Sequence, residues 1–341
     1  MKIIEEGKER KIMRKRTLLR TTANAGLAAF LIVAFAIPGI QAADKFPNRP
    51  LTMICPFAAG GGTDAVARMI ASLLEQDLGQ PVNVVNRTGG GGAVGHTAGA
   101  TAAPDGYTMT FATGDITMLH WMGTTQVTHK EFRAVGQVNF DASAINVRAD
   151  APWKSVKEVQ DYAKANPGKL KASGTGKGGC WDIGRAGWLI AAGVSPDVIP
   201  WVPSSGAAPA LQDILSGGLA MSTCSLPEAR ALIEAKKIKS LAVMADKRLE
   251  VFPDIPTLKE SGMNWSFGVW RGVLVPKSTP DNVVAILENS LEKAYKNLKY
   301  REFMDKSGLG MVWRSAAEFD KFMAEEDASN QKVMKASGMI K

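Results

Sequence analysis

The sequence predicts an α/β protein built from two units of similar construction, the second starting near residue 144. Short apolar runs alternate with amphipathic stretches of helical period, and glycine-rich loops follow several of the apolar runs. A length of 341 residues accommodates two domains of about 100–200 residues each. The composition, 45% hydrophobic and 22% charged, excludes collagen-like and disordered chains.

The first unit alternates strands and helices. Leu51–Cys55 is a buried strand that ends at Pro56 and a glycine cluster, and Thr63-Asp64 open a helix that ends at Gly79. The pattern next predicts a strand over 82–85, a helix over 93–103 and a strand over 107–112. Strand, helix and strand in this order predict a largely parallel sheet.

The second unit begins near Ala144–Val147 and extends over about 100 residues, a typical domain size. Its predicted helices are 156–165, 181–192, 209–215 and 227–235, and its predicted strands are 170–173, 198–202, 219–223 and 240–244. A strand over 267–275 follows. Thr279 as N-cap and Pro280 at the first helical position then begin a long helix, and two more helical segments close the chain.

The first 42 residues have the pattern of a secretory signal peptide. Basic residues between Lys11 and Arg20 precede the apolar stretch Ala25–Ile37, and a small-residue cleavage site ends at Ala42. We expect cleavage near Ala42 and export of the protein. The alternative is a retained signal anchor, but the apolar stretch is shorter than the about 20 residues that span a bilayer. Met13 is an alternative start.

Charge and cysteine content narrow the function classes further. The net charge is +8, but after residue 42 the chain has 33 basic and 30 acidic residues, so composition does not indicate a nucleic-acid protein. Cys55 is predicted to be a core residue. Cys180 and Cys224 either pair or remain separate thiols, and we favour separate thiols because the sequence does not give their distance.

Three glycine-rich loops, 57–64, 86–95 and 173–179, follow predicted strands. Such loops present backbone N–H groups at helix N-termini to a carboxylate or phosphate, although glycines also simply permit tight turns. Loops from both units fit a ligand in a cleft between them. Gly90–Gly95 satisfies G-x-G-x-x-G without a well-placed acidic residue after the next strand, and 174–177 fails as a P-loop.

The sequence contains no recognisable catalytic constellation. It has no G-x-S-x-G motif, and its three histidines lack metal-ligand spacing, so we expect no metal and no cofactor. Cys180 before a predicted helix is a candidate nucleophile, but no histidine is placed by sequence to act as its base. We therefore expect a protein that is not an enzyme.

An ordered set of motifs resembles the tripartite tricarboxylate transporter solute receptors, also called the Bug or TctC family. The first is Pro56–Arg68, PFAAGGGTDAVAR. The others are Gly79–Val82, Asn86-Arg87 with Gly89–Gly92 and Gly95, Ala103–Thr108, Pro167–Leu170, Gly206–Leu211 with Asp213, Pro253–Leu258, Glu260–Gly262 and Trp270–Gly272. The resemblance covers essentially all of the chain after the leader.

The resemblance implies a two-lobed periplasmic-binding-protein fold of type II (Venus flytrap) with a ligand cleft between the lobes. Lobe 1 would comprise residues 43–145 plus 266–341 and lobe 2 residues 146–265, with hinges near 144–147 and 267–269. It also implies a periplasmic monomer that captures a small carboxylate, either a di- or tricarboxylate or an aromatic acid. The receptor would deliver it to the membrane permease subunits of a tripartite tricarboxylate transporter. Ligand sensing for a membrane kinase is the alternative, and an exported enzyme is a further one.

Carried onto this sequence, the resemblance implies ligand-binding residues in both lobes. They are Phe57, Ala58, Gly61, Thr63, Thr113, Gly114 and Asp115 in lobe 1, Ser173, Gly174, Thr175, Gly176 and Lys177 in lobe 2, and Ser205, Cys224 and Arg271 along the cleft. Asp64 is expected to cap the first helix and fix its loop.

Two of these expectations concern specificity. Lys177 or Arg271 could pair with a second carboxylate of the ligand, with a solvated surface charge as the alternative. Ser204-Ser205 and Cys224 stand where the family often has an aromatic, a polar and an acidic residue. Together with Trp181, these smaller side chains predict a larger or less polar pocket.

Overall fold

The computed structural model describes residues 46–341, so the predicted signal peptide and its cleavage site lie outside the described residues. The strands are β1 (Leu51–Cys55), β2 (Val82–Asn86), β3 (Thr108–Thr113), β4 (Phe132–Ala142), β5 (Ala144–Arg148), β6 (Ala172–Ser173), β7 (Met221–Ser222), β8 (Ile238–Val243), β9 (Gly268–Pro276) and β10 (Met311–Ser315). The helices are α1 (Gly62–Leu78), α2 (Ala93–Ala100), α3 (Val156–Ala165), α4 (Cys180–Ala191), α5 (Ala207–Ser216), α6 (Leu226–Glu234), α7 (Asp281–Lys296), α8 (Leu298–Ser307) and α9 (Ala316–Ala336). Over residues 46–341, no helix has both the length and the apolar character needed to cross a membrane.

The first sheet has six strands in the order β10-β4-β9-β3-β1-β2. β1 pairs in parallel with β2 and β3, whereas β9 is antiparallel to both β3 and β4, and β10 is antiparallel to β4. The predicted parallel arrangement is confirmed for β1, β2 and β3, but the other three of the five strand pairings in this sheet are antiparallel. The reason is that β9 returns from far along the chain and inserts between β3 and β4 in the opposite direction.

The second sheet has four strands in the order β6-β7-β5-β8. The chain enters it from the first sheet between β4 and β5, where Ser143 alone separates the two strands, and leaves it between β8 and β9. These two crossings are hydrogen-bonded to each other: the Ser143 N–H donates to the Phe267 carbonyl at 2.9 Å and the Met244 N–H to the Ser143 carbonyl at 2.7 Å. Ser143 and the two ends of the second connection, Met244 and Phe267, therefore lie side by side.

Each sheet has its own apolar core. Helices cover the first sheet, where Trp270 of β9 packs edge-on against Phe319 of α9 with ring centroids 5.1 Å apart. Buried Trp188 of α4 belongs to a separate cluster around the second sheet, together with Ile145 and Val159. Burial of aromatic and aliphatic side chains on both faces stabilises two separate layers of helix on sheet.

The local signals of the first unit are confirmed. β1, α1, β2 and β3 lie within one residue of their predicted bounds at most ends, and Gly79 caps α1 with a left-handed φ of 68°. Glycine adopts this conformation without the steric cost of a side chain, which explains why the helix ends there. α2 is shorter than predicted and ends at Ala100.

Other predictions are wrong. The strand over 198–202 is reduced to a single bridge between Ala172 and Trp201, because Pro200 and Pro203 flank it and lack the N–H that a ladder requires. Pro280, not Thr279, is the N-cap of α7, because the Thr279 hydroxyl instead donates to the Pro276 carbonyl at 2.7 Å. β4 and β10 have no counterpart among the predicted strands, and they pair only with strands distant in sequence.

Candidate functional site

The candidate site is a small cavity between the ends of the two sheets. Eight of the sequence-predicted residues line it: Phe57, Ala58, Gly61, Thr63, Thr113, Asp115, Thr175 and Arg271. The lining residues outside the predicted set are Gly62, Trp181, Gly206, Ala207, Glu228 and Val269. Segments from both sheets therefore contribute to one cavity.

Three helices begin at this cavity, and each has a glycine at its N-cap. α1 begins after Gly61, α4 after Gly179 and α5 after Gly206, and none of these caps supplies a side-chain hydrogen bond. The first N–H groups of a helix have no acceptor within the helix, and they carry the positive end of the helix dipole. Without capping side chains, these N–H groups are available to negatively charged groups.

Asp64 holds the loop at the start of α1. Its carboxylate accepts hydrogen bonds from the Gly60 N–H (3.0 Å), Arg68 Nε (3.0 Å) and Asn86 Nδ2 (2.8 Å). Burial opposes the charge, but the hydrogen bonds from Arg68, Asn86 and Gly60 outweigh it and hold the pKa of Asp64 below its usual value. Asp64 thus organises the loop, and it does not line the cavity.

Arg271 of β9 is the only cationic residue among the described residues that line the cavity, and it is almost fully enclosed by the protein's own groups. Its Nε donates to Thr63 Oγ1 at 2.9 Å, and one terminal nitrogen donates to Asn139 Oδ1 at 2.6 Å and to Asp141. The other terminal nitrogen donates to Glu228 Oε1 at 3.1 Å. Its charge is therefore already balanced by two carboxylates, which weakens the expectation that it pairs with a ligand carboxylate.

Glu228 connects the two sides of the cavity. It belongs to α6, which packs on the second sheet, yet it contacts Arg271 of the first sheet and lies beside Gly62 at the start of α1. Burial raises the pKa of Glu228, whereas Arg271 opposes the rise. A carboxylate of the chain itself thus occupies the N-terminus of α1. From the sequence alone, the spacing of Ser225 and Glu228 indicates only a capping box at the start of α6.

Asp115 connects the two sides in the opposite direction, from the first sheet to a helix of the second. It follows β3 of the first sheet, and its Oδ1 accepts the Cys180 N–H at the N-terminus of α4 at 2.9 Å. Its Oδ2 accepts the Thr113 hydroxyl at 2.7 Å. Burial raises the pKa of Asp115, since these hydrogen bonds only partly offset the loss of hydration. The N-termini of α1 and α4 are both occupied by carboxylates from the opposite side of the cavity.

Among residues 46–341, no carboxylate accepts a hydrogen bond from the third helix start, the N-terminus of α5. Within residues 46–341, the N–H groups of Gly206 and Ala207 find no hydrogen-bond partner, although both residues line the cavity. Thr175 adds a further unsatisfied polar atom, since its Oγ1 is buried without a hydrogen-bond partner. Buried polar groups are normally paired, so these atoms indicate where a ligand would bind.

Seven predicted site residues do not line the cavity: Gly114, Ser173, Gly174, Gly176, Lys177, Ser205 and Cys224. Lys177 is exposed, in keeping with the solvated surface charge that was its alternative interpretation. Gly114 packs against Cys180 and Trp270, where a Cβ would lie 2.9 Å from the Cys180 sulfur. The Ser205 carbonyl accepts the Ala58 N–H at 3.3 Å, which joins the two sides of the cavity.

The cysteines are buried and all three are free thiols. Burial raises the pKa of the Cys180 thiol well above its usual value, and the neighbouring Asp115 carboxylate raises it further. Burial likewise raises the pKa of Cys55 to about 11. Because the thiolate is the nucleophilic form, this environment argues against Cys180 as a nucleophile.

The two sides of the cavity touch each other in this conformation. A Cβ on Gly176 would lie 2.4 Å from Gly91 Cα, so the loop after β6 and the loop after β2 meet backbone to backbone. The cavity volume is about 20 Å³. About 10–15 Å³ accommodates one water molecule, so a ligand of several carbon atoms requires the two sides to separate.

Comparison with known proteins gives a consistent result. The sequence model of one family, described as tripartite tricarboxylate transporter family receptor, matches residues 66–339 of this chain. A UPF0065 protein from the gbd 5′ region of Cupriavidus necator is 30% identical over 332 residues, which cover 96% of this chain and 99% of that protein.

Solved structures are similar to this chain over most of its length. The periplasmic binding protein BugD has a TM-score of 0.80 and 29% identity, and covers 86% of this chain and 99% of its own. An R. palustris protein solved with adipate also has a TM-score of 0.80, with 27% identity over 86% of this chain and 98% of its own.

Proposed function

Because the chain belongs to the tripartite tricarboxylate transporter receptor family, we propose that it captures a small carboxylate in the cavity between its two sheets and presents it to a membrane permease. The family consists of receptors and not of enzymes. Adipate in the R. palustris relative indicates that an aliphatic acid of this size is accommodated by the same fold.

The observation that carries the proposal is the convergence of three glycine-capped helix starts on one cavity. Such starts bind anions through backbone N–H groups, without needing a free cationic side chain. The N–H groups of Gly206 and Ala207 at the start of α5 are the ones that no group of the chain occupies among the described residues. They are therefore our proposed carboxylate site.

Capture requires a change in the distance between the two sides. We assign lobe 1 to residues 43–145 plus 266–341 and lobe 2 to residues 146–265, with hinges at 144–147 and 267–269. The two connections near Ser143 and Phe267, which are hydrogen-bonded to each other, suit this role because they can bend together. A ligand stabilises the closed form only through contacts that the open form lacks.

Periplasmic location, cleavage of the leader near Ala42, a monomeric state and the permease partner belong to the same proposal. They are supported by the basic and apolar pattern of residues 1–42 and by the similarity to periplasmic BugD. Mass determination of the protein purified from the periplasmic fraction gives both its location and the position of cleavage.

The direct test is binding of carboxylates to the purified protein, by native mass spectrometry without added ligand and by thermal shift with a panel of aliphatic and aromatic acids. We expect Thr63→Val and Thr175→Val to lower affinity while the protein remains folded, because each removes one hydroxyl from the cavity wall. Thr101→Val, at an exposed helix end, is the control. Unchanged affinity in both cavity variants would reject this assignment of the site.

A further inference from the structure

We propose that a second cavity, on the other side of the hinge strands, binds an aromatic amine, and that this binding raises the affinity of the first cavity for its carboxylate. We call the first one the front cavity and the second one the rear cavity. The rear cavity lies between residues 140–142, 305 and 308–311 on one side and residues 227 and 245–251 on the other. The inference rests on the lobes and hinges of the proposed function, to which it adds an effector.

The strands at the hinge border both cavities. Val269 of β9 lines the front cavity, whereas Asp141, its partner in the register of β4 and β9, lines the rear cavity. In α6, the sequence neighbours Glu228 and Pro227 line the front and the rear cavity respectively. The two cavities are therefore on opposite sides of the segments about which the lobes turn.

The two walls of the rear cavity belong to different lobes. The wall of lobe 1 includes Ala142, directly before the first connection, and the wall of lobe 2 includes Ala245, directly after Met244. The walls touch where a Cβ on Gly308 would lie 3.1 Å from Val251 Cγ2. Because the hinge lies between the two cavities, a rotation that separates the lobes at the front moves these walls toward each other at the rear.

The volumes of the two cavities differ in the sense that this geometry requires. The front cavity, whose sides touch, has a volume of about 20 Å³, and the rear cavity has about 570 Å³. Sites for small molecules commonly have about 300–1,000 Å³, so the rear cavity accommodates a ligand while the front is closed. A molecule bound there opposes opening and shifts the equilibrium toward the closed form. By linkage it tightens carboxylate binding, and the carboxylate tightens its binding by the same factor.

Apolar side chains from both lobes are exposed in the rear cavity. Phe140 of lobe 1 is 38% exposed and Val251 of lobe 2 is 43% exposed. Leu249, Leu309 and Met311 also line the cavity. A ligand with an aromatic ring removes part of this apolar surface from water and can stack on the ring of Phe140.

The charges around the rear cavity favour a cation. Three of its charged lining residues form ion pairs with residues that do not line it: Asp141, Asp246 and Arg248. The other three form no ion pair within residues 46–341: Lys247, Glu250 and Asp305. One unpaired cation thus accompanies two unpaired carboxylates, of which Glu250 belongs to lobe 2 and Asp305 to lobe 1. An ammonium group is therefore attracted to both walls.

The test measures binding of the best-binding acid of the panel by isothermal titration calorimetry at neutral pH, with and without saturating 2-phenylethylamine. The ammonium group of this amine is protonated at neutral pH, as that of lysine is. We expect the amine to raise the affinity for the acid about fivefold or more, as is typical of coupling between two sites. 2-Phenylethanol has the ring without the charge, and ethylamine has the charge without the ring. Each should raise the affinity by less than about twofold.

The matched variants test the two unpaired carboxylates. Glu250→Gln/Asp305→Asn removes both charges and should abolish the effect of the amine, while the affinity for the acid alone stays the same. Glu302→Gln/Glu325→Gln makes the same change in net charge at exposed positions that do not line the rear cavity, so it should keep the effect. An effect that survives in Glu250→Gln/Asp305→Asn, or an equal effect of 2-phenylethanol, overturns the inference.

Failure of the inference and failure of the proposed function give different results. If the amine leaves the affinity for the acid unchanged or lowers it, the inference is overturned, while the proposed function stands because the acid still binds. If no acid binds to the folded protein, the proposed function itself is rejected. The rear cavity is then tested by titrating 2-phenylethylamine alone into wild type and Glu250→Gln/Asp305→Asn. Weaker binding to the variant supports the site, and equal or absent binding to both proteins overturns it.

Discussion

Arg271 is held in place by groups from three separate segments. It is 1% exposed and contacts Thr63 at the start of α1, Asn139 and Asp141 of β4, and Glu228 of α6. Although burial opposes its charge, Asp141 and Glu228 hold the pKa of Arg271 above its usual value. Buried charges of this kind are stable only as a complete set, because removing one leaves the others without a partner.

We therefore expect Arg271→Met to lower the free energy of unfolding by about 3–5 kcal/mol, since two buried carboxylates lose their cation. Urea denaturation at neutral pH measures the loss. Arg301→Met, at an exposed position of α8, is the control and should change stability by less than about 0.5 kcal/mol. A loss in the Arg271 variant no larger than in the control would contradict a buried ion network.

His96 of α2 gives a pH-dependent prediction. It is buried, and burial lowers its pKa to about 4. In the unfolded chain its pKa is about 6.5, so the unfolded state binds the proton more readily. The contribution of neutral His96 to stability is complete above pH 6.5 and is lost as the pH falls from about 6.5 to about 4.

The expected size of this loss is about 3 kcal/mol, at about 1.4 kcal/mol for each pKa unit. Thermal or urea unfolding of wild type and His96→Gln across this pH range measures it. Gln cannot be protonated, so the difference in stability between the two proteins should shift in favour of the variant as the pH falls. Parallel pH profiles would show that His96 keeps an ordinary pKa.

At the scale of elements, α2 is packed unusually close to the first sheet. A Cβ on Gly99 would lie 1.8 Å from Thr110 Oγ1 of β3, and a Cβ on Gly95 would lie 2.6 Å from Pro56 Cα. These two glycines allow the helix that follows the glycine-rich loop to lie directly on the strands. The loop, with Gly91 at its centre, is thereby brought against Gly176 of the loop after β6.

Gly99→Ala should therefore be destabilising, although Gly to Ala inside a helix normally stabilises by up to about 1 kcal/mol. The expected loss is about 1–3 kcal/mol because the added methyl group overpacks the interface between α2 and β3. Thermal unfolding measures it. The double variant Gly99→Ala/Thr110→Ala removes the clashing hydroxyl and should recover part of the loss. A stabilised single variant would mean that α2 is less tightly packed than described.

At the scale of the whole molecule, the two sides of the cavity meet through small or backbone groups. Gly176 contacts Gly91, and the Ala58 N–H donates to the Ser205 carbonyl. Asp115 and Glu228 add hydrogen bonds and an ion pair in opposite directions across the same junction. Closure therefore depends on close backbone contacts and on two carboxylates that reach across the junction in opposite directions. A single added side chain can obstruct it.

Gly176→Ala should lower ligand affinity about tenfold or more, a loss of about 1.4 kcal/mol or more, because its Cβ would limit how closely the loops after β6 and β2 can approach each other around the ligand. Stability without ligand should change little. Calorimetry with the best-binding acid of the panel gives the affinity, and small-angle X-ray scattering at saturation gives the degree of closure. Gly218→Ala is the control, since a Cβ there meets nothing nearer than 3.6 Å. Equal affinity and equal closure in both variants would contradict this closure mechanism.

The elements whose signals are local could be predicted from the sequence. Apolar periodicity and the glycine that ends α1 gave β1, α1, β2 and β3, and the ordered motifs from Pro56 to Gly272 identified the family. Eight of the fifteen residues that the family resemblance implies as ligand-binding line one cavity in the structure, and their role in binding stays a prediction. These features depend on neighbours in sequence or on a motif pattern, which a reader of the chain alone can recognise.

The remaining features depend on contacts between segments that are distant in sequence. β4 carries buried polar residues, Gln137, Asn139 and Asp141, that are unfavourable in a core strand until Arg271 and Arg314 arrive from distant segments to pair with them. Glu228 likewise becomes a cavity residue only because α6 faces α1 across the junction. Hydrogen bonds and ion pairs between remote segments have no periodicity in the sequence, so their partners are known only once the chain has folded.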